Sequence, residues 1–179
     1  MKASPLDRLL FLMTALLASY QIAVGIEGLG SIPILAYTIG FGALLVSGLI
    51  ILILGLEVLQ SPIVVVVATL IPLSLACGMV WEYLPEWRRF YMTYAIVGLL
   101  AIVLTRFTKT PRKIAIPILA LVHGVAGLTI FLLPLGMVAT QRSGVGFVLV
   151  SLGGALIGLM GVILSFLRMG SKVFSQEKL

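Results

Sequence analysis

Long apolar stretches separated by short charged segments dominate the chain. Six stretches contain no Lys, Arg, Asp or Glu: 9–26, 28–56, 58–81, 90–105, 114–141 and 143–167. His123 is the one histidine within them. A helix needs about 20 residues to cross the hydrocarbon core of a bilayer. Because backbone polar groups in lipid must be satisfied within their own segment, these six stretches predict six helices. The shortest stretch, 90–105, can be lengthened if Arg89 and Arg106 extend towards the two interfaces.

The predicted fold is all-α: a polytopic membrane protein with six transmembrane helices in a compact bundle, formed by one domain over 1–179. The expected spans are 8–27, 33–56, 62–82, 89–107, 115–138 and 144–168, followed by a short cytoplasmic tail, 169–179. Ser4, Pro5 and Asp7 have the order of a helix cap, a first helical residue and a first-turn acid. The first stretch is therefore interpreted as a retained span and not as a cleaved signal.

A pattern of prolines and glycines indicates internal repetition. Three aliphatic–proline pairs are expected in the outer loops: Ile32-Pro33, Leu84-Pro85 and Leu133-Pro134. The helices that follow carry Gly42, Gly98 and Gly154, spaced by 56 residues. Three helical-hairpin repeats would explain this pattern. Coincidence is the alternative, because glycine is frequent in membrane helices.

Composition and charge agree with a membrane location. Hydrophobic residues make up 61% of the chain and charged residues 10%, whereas soluble domains have roughly 45–50% and about 25%. The net charge of +6 is unevenly distributed. Nine basic residues fall on one predicted side and three on the other, the three being Arg88, Arg89 and Arg142. The positive-inside rule then predicts a multi-pass protein of the cell (inner) membrane with both termini cytoplasmic.

The basic loop between the fourth and fifth spans is a candidate contact for anionic lipids. Its cations are Arg106, Lys109, Arg112 and Lys113. Each basic residue near an anionic surface contributes about 1 kcal/mol of attraction. No basic segment is long enough to follow a nucleic-acid backbone, so the charge does not indicate nucleic-acid binding.

Small residues recur at helical spacing on three spans and predict helix-packing faces. Span six has Ser151, Gly154, Gly158, Gly161 and Ser165, span two has Ala36, Gly40, Ala43 and Ser47, and span five has Ala120, Gly124 and Gly127. Contacts within one chain are the favoured interpretation. The Gly154–Gly158 pair could instead form a homodimer face, and assembly into a larger membrane complex stays open.

Polar groups at membrane depth are the candidate functional residues, since each is costly to place there. His123 lies well inside the fifth span, one turn from Ala120 and Gly127, so it is expected to face the bundle interior. The alternative is a neutral imidazole that only bonds to a neighbouring helix. Tyr20 and Gln21 could line a polar cavity or make interhelical hydrogen bonds, whereas Glu27 and Glu57 lie at span ends, where the interface solvates a carboxylate.

Catalytic and cofactor motifs are not found. The sequence has no HExxH and no GxSxG, and Cys77 and His123 are its only cysteine and histidine. We therefore expect no catalytic residues, no cofactor and no metal site. The predicted role is that of a non-enzymatic integral membrane protein.

The apolar hairpins with their prolines and glycine-rich returning helices resemble the HdeD-like small six-span membrane proteins. The similarity is greatest over 121–134 and 34–52 and extends loosely over 10–168. It implies a structural role or one in acid or envelope stress, with no catalytic residues to carry over. A small transport or channel subunit is the alternative, since the size and span number are similar to those of the substrate-binding subunits of energy-coupling vitamin transporters. Those usually carry Ala-x-x-x-Ala in the first helix, whereas this chain has Ala15 and Ala18.

Overall fold

The computed structural model describes residues 4–55, 57–58 and 61–159, and this part of the chain is helical without any strand. Its helices are α1 (Pro5–Val24), α2 (Ser31–Leu54), α3 (Pro62–Tyr83), α4 (Arg88–Phe107), α5 (Arg112–Ala139) and α6 (Val145–Leu159). By length and composition, the first five are long and apolar enough to cross a membrane, and α4 is preceded directly by a 3₁₀ turn, Pro85–Trp87. The end of the predicted sixth span, beyond Leu159, and the tail 169–179 lie outside the described residues.

The first helix begins at the residues that the sequence indicated. The Asp7 backbone N–H donates to Ser4 Oγ at 3.1 Å, and the Ser4 N–H donates to Asp7 Oδ2 at 2.8 Å. This reciprocal capping box satisfies two backbone donors that the first helical turn leaves without partners. The prediction of Ser4 as the cap and Pro5 as the first helical residue is confirmed.

Glycine ends the first two helices. Gly25 follows α1 with a φ of +72° and Gly55 follows α2 with a φ of +81°. Each donates its backbone N–H to the carbonyl four residues earlier, Gln21 and Ile51 respectively. Side chains rarely adopt this left-handed backbone conformation, so glycine allows the chain to leave each helix sharply.

The chain forms two compact units, which divide within α5 and are described separately. The first unit, Met1–Ala126, contains α1 to α4 and the first half of α5. In it α2 packs on α1 and α3, and α3 packs on α4. The buried residues of α3 are the most numerous: Val64, Thr69, Leu73, Ala76, Cys77, Gly78, Met79 and Val80. This helix is therefore the centre of the first unit.

Two glycines allow α2 and α3 to approach closely. A Cβ placed on Gly40 would stand 2.9 Å from Cδ2 of Leu75, and one placed on Gly78 would stand 2.9 Å from Cε1 of Tyr37. Helices in lipid associate through close backbone approach and van der Waals packing, because lipid tails are as apolar as leucine. Each glycine thus leaves space that a large side chain of the facing helix fills.

A glycine contact and a hydrogen bond join α4 to the first half of α5. A Cβ on Gly98 would lie 3.0 Å from Cγ2 of Val122. The Tyr94 hydroxyl lies 3.2 Å from the carbonyl oxygens of both Leu121 and Val122 and donates to them. These contacts fix the antiparallel register of α4 and the first half of α5.

The second unit, Gly127–Leu179, is described as far as Leu159. In it α6 approaches the second half of α5 at Gly154. A Cβ there would lie 3.1 Å from Cγ2 of Ile130 and 3.6 Å from the backbone nitrogen of Phe131. The distance to Ile130 is shorter than an ordinary Cβ contact, whereas the distance to the Phe131 nitrogen is ordinary, so a small residue suits this position.

The proline and glycine pattern does not mark equivalent structural positions. The prediction that Leu133-Pro134 lies in an outer loop is wrong, because α5 continues to Ala139. Proline has no backbone N–H, so one carbonyl of the preceding turn loses its helical donor. A membrane helix can continue through the proline when neighbouring groups bond to that carbonyl instead. Of the three spaced glycines, Gly98 and Gly154 meet a neighbouring helix, whereas a Cβ on Gly42 would meet nothing within 4 Å.

Candidate functional site: polar groups on α4 and α5

His123 lies in the first half of α5, next to the contact with α4. Its neighbour Val122 is 3% exposed and packs on α4, while the imidazole itself is partly buried. The Nδ1 atom is buried and has no hydrogen-bond partner in the described part of the chain. An imidazole nitrogen without a partner is costly in an apolar environment. His123 is therefore not explained as a satisfied bond between helices.

Arg106 is a second polar residue with a buried atom that lacks a partner. It lies in the last turn of α4, and its Nε is buried without a hydrogen-bond partner among the described residues. The sequence predicted that Arg106 extends outwards to the interface. The side chain as a whole is partly buried, and the protein covers its Nε.

Arg106 and His123 lie on the two helices of this antiparallel pair. Because Gly98 faces Val122, the Cα atoms of Arg106 and His123 are separated along the helix axes by roughly nine residues, or about 13 Å.

The sequence did not lead us to expect a buried atom in Arg106, although helical spacing contains the signal. Gly98, Ile102 and Arg106 follow one another at steps of four residues and share one face of α4. Gly98 and Ile102 are both buried on that face. An arginine that continues a buried apolar face is a candidate for a role inside the bundle.

The connecting loop adds three exposed cations at the same end of α4 and α5. Lys109, Arg112 and Lys113 are exposed. The hydroxyls of Thr108 and Thr110 lie 2.6 Å apart across the short connection. These three cations are thus exposed, whereas Arg106 is partly buried.

Tyr20 and Gln21 do not form a shared polar cavity. Tyr20 is 63% exposed and is not among the residues that line the cleft beside Gln21. Gln21 Nε2 donates to the Gly25 carbonyl at 2.9 Å, which closes the end of α1. A cleft between α1 and α2 is lined by Gln21, Ile22, Gly25, Ile26, Ile34, Tyr37, Thr38 and Phe41. Its volume of about 10 Å³ has room for roughly one water molecule.

Glu27 and Glu57 occupy the connections between helices. Glu27 is exposed in the turn after α1, and Glu57 is exposed in a short helical turn after α2. A carboxylate in such a position is solvated by the interface and needs no role inside the bundle.

The predicted packing faces differ in what they meet. Gly40, Ala43 and Ser47 are buried on α2, although Ser47 Oγ has no hydrogen-bond partner among the described residues. On α5 the buried side of the first half carries Ala115, Val122 and Ala126, whereas a Cβ on Gly124 or Gly127 would meet nothing within 4 Å.

On α6 only one glycine of the predicted pair is in close contact. Gly154 packs on α5, while a Cβ on Gly158 would meet nothing within 4 Å. Gly161 lies outside the described residues. The small residues on α6 therefore do not act as one continuous contact in the part of the helix that is described.

Sulfur atoms make a further contact between α3 and α4. Cys77 Sγ lies 3.7 Å from Met92 Sδ, within the buried centre of the first unit. No group of three or more His, Cys, Asp or Glu side chains in the described ranges is placed to hold a metal ion. The sulfur pair packs as soft, polarisable side chains do.

The comparisons give no relative to guide the assignment. No family model, no curated protein and no solved structure matches the chain. Within the residues that the structure describes, five helices are long and apolar enough to cross a membrane.

Proposed function

We propose that the protein is a non-enzymatic, multi-pass protein of the cell membrane whose role is structural or linked to acid or envelope stress. The observation that supports this proposal is that glycines at the helix contacts accommodate side chains of neighbouring helices. Gly40, Gly78 and Gly98 each receive a side chain of the neighbouring helix. These buried positions of the described residues thus serve contacts between helices, as expected of a membrane protein with a structural role.

A small transport or channel subunit is the second candidate, and His123 at membrane depth is the observation that favours it. Solute binding needs a cavity that buries most of its ligand, typically about 300–1,000 Å³. The cleft beside Gln21 is far smaller, and Tyr20 faces away from it. These two placements support the packing role over solute binding.

Native mass spectrometry of the full chain, released from a mild detergent, tests this proposal. We expect a folded protein that carries only lipid or detergent adducts. A stoichiometric adduct of another small molecule, lost in Gln21→Ala or His123→Ala and retained in the exposed control Tyr20→Phe, would contradict the packing role and favour transport.

A further inference from the structure

We propose that one face of α4 is a contact surface for bilayer lipids, with its two ends at the two membrane interfaces. This surface, the exposed face of α4, consists of Phe90, Thr93, Val97, Leu100, Leu104 and Phe107. The proposal rests on the proposed membrane location, and it adds the face by which this helix meets lipid and the depth of each position.

Helical spacing places these six residues on one side of α4. They follow one another at alternating steps of three and four residues, and such steps keep side chains on one face of a helix. The buried residues of α4 lie on the opposite side and are Tyr91, Gly98 and Ile102. The packed side and the exposed face are therefore separate, and a continuous apolar surface of this kind indicates a contact with something other than water.

The length of the exposed face matches the thickness of a bilayer. Phe90 and Phe107 lie near its two ends and are 65% and 60% exposed, and the positions between them that are most exposed are aliphatic. The 20 residues of α4 extend about 30 Å. The hydrocarbon core of a typical bilayer is also about 30 Å thick. One end of α4 can thus reach each interface.

The turn before α4 places an amphipathic ring at the first end. Trp87 is 55% exposed and stands edge-on to Phe90, with ring centroids 5.7 Å apart and an angle of 82° between the planes. An indole combines an apolar body with one N–H donor and is favoured at the level of the lipid head groups. Arg89 is exposed beside it and presents donors that suit a lipid phosphate.

The second end carries exposed cations as well. Phe107 is followed by Lys109, Arg112 and Lys113, all exposed. Cations next to a membrane-spanning helix are complementary to the phosphate groups of anionic lipids. The apolar exposed face is therefore bounded at both ends by positive charge, as a bilayer with phosphates on both surfaces requires.

A second copy of the chain is the alternative occupant of this face, and the residue types favour lipid over it. Membrane helices associate where glycine, alanine or serine lets two backbones approach, and the exposed face has none of these residues. The Thr93 hydroxyl donates to the Arg89 carbonyl of its own helix at 3.0 Å. That bond occupies its donor, so the face offers bulky apolar side chains that suit mobile acyl chains.

Tryptophan fluorescence in vesicles measures the depth of individual positions. The chain has two tryptophans, so Trp81→Phe leaves Trp87 as the single reporter. Val97→Trp and Phe107→Trp are made in a Trp81→Phe, Trp87→Phe background. Each protein is reconstituted into vesicles of phosphatidylcholine and phosphatidylglycerol whose acyl chains carry bromine either near the head group or near the chain end. Bromine quenches a tryptophan that lies beside it in the bilayer.

The three reporters are expected to differ in depth. Bromine near the head group should cause the larger loss of fluorescence for Trp87 and for Phe107→Trp. Bromine near the chain end should cause the larger loss for Val97→Trp, because Val97 lies ten residues from both Trp87 and Phe107, or about 15 Å along the helix. The same depth preference at all three positions would overturn the proposal.

Trp81 provides a matched control at the first end. It is partly buried, and the guanidinium carbon of Arg88 lies 5.6 Å from the centre of its ring. In Trp87→Phe, which leaves Trp81 as the single reporter, we expect weaker quenching than in Trp81→Phe. Stronger quenching of Trp81 than of Trp87 would contradict the placement of Trp87 in lipid.

Vesicle flotation separates this proposal from the membrane location on which it rests. If Val97→Trp floats with the vesicles and neither brominated lipid quenches it, protein covers the face, and a crosslinked dimer of the wild type would assign that cover to a second copy. If the wild type does not float, both proposals fail. Should Val97→Trp not fold, Leu100→Trp, at a neighbouring position that is 56% exposed, is the substitute with the same expected depth preference.

Discussion

Gly40 and Gly42 lie two residues apart on α2 and have opposite surroundings. Gly40 faces Leu75 and the carbonyl oxygen of Ile71, while a Cβ on Gly42 would meet open space. Gly40→Leu is expected to lower the free energy of unfolding by about 1–3 kcal/mol, since a large side chain cannot enter the contact with α3. Gly42→Leu is the matched control and is expected to be neutral or to stabilise by up to about 1 kcal/mol through helix propensity. Thermal unfolding of the two variants in detergent, followed by circular dichroism, measures the difference, and equal melting temperatures would contradict the described α2–α3 contact.

The Tyr94 hydroxyl is the polar link between α4 and α5. Tyr94→Phe removes its donation to the carbonyls of Leu121 and Val122 while keeping the ring. Hydrogen bonds between membrane helices contribute about 0.6 kcal/mol on average and up to about 1.7 kcal/mol, so a loss in this range is expected. Tyr20→Phe removes a hydroxyl from a ring that is 63% exposed and should change stability by less than about 0.5 kcal/mol. A larger loss for Tyr20→Phe than for Tyr94→Phe in denaturant unfolding would argue against this register.

Single residues also show the limit of sequence reasoning. The cap at Ser4 could be predicted because it depends on neighbours within one turn. The contact of Gly98 with Val122 depends on the register of two helices, which no local pattern encodes. The exposed orientation of Tyr20 was missed for the same reason, since an aromatic ring is acceptable on either side of a membrane helix.

At the scale of the elements, Gly154 and Gly158 distinguish two interpretations of α6. Gly154→Leu is expected to lower the melting temperature in detergent, because the new side chain would meet Ile130 and the backbone of Phe131. Gly158→Leu is expected to melt like the wild type, because a Cβ there meets nothing within 4 Å.

The oligomeric state of the Gly154→Leu and Gly158→Leu variants is the second measurement that distinguishes the two interpretations. If Gly158→Leu removes a dimer on size-exclusion chromatography while the monomer remains stable, Gly158 faces a second copy. If Gly154→Leu melts like the wild type, α6 does not pack on α5 as described.

The positions of the helices could be predicted well, but their packed faces could not. Charged residues end apolar stretches because charge is costly in hydrocarbon, and α1 to α5 lie within a few residues of the expected spans. In a soluble helix the apolar side identifies the core. In lipid both sides are apolar, so Gly124 and Gly127 could not be distinguished in advance from Gly98 as contact positions.

At the scale of the whole molecule, we propose that α4 crosses the membrane with its basic end inside the cell. Glu86 precedes α4 in the Pro85–Trp87 turn, and Lys109 follows it in the loop to α5. Both side chains are exposed. If α4 crosses the bilayer, these two positions lie on opposite sides of it.

Cysteine labelling in intact cells measures this most directly. Cys77 is the only native cysteine and is 6% exposed, so Cys77→Ala gives a cysteine-free background for Glu86→Cys and Lys109→Cys. We expect an impermeant thiol reagent to label Glu86→Cys in intact cells and to label Lys109→Cys only after permeabilisation. Labelling of both positions from outside, or of Lys109→Cys alone, would contradict the membrane topology on which the proposed function rests.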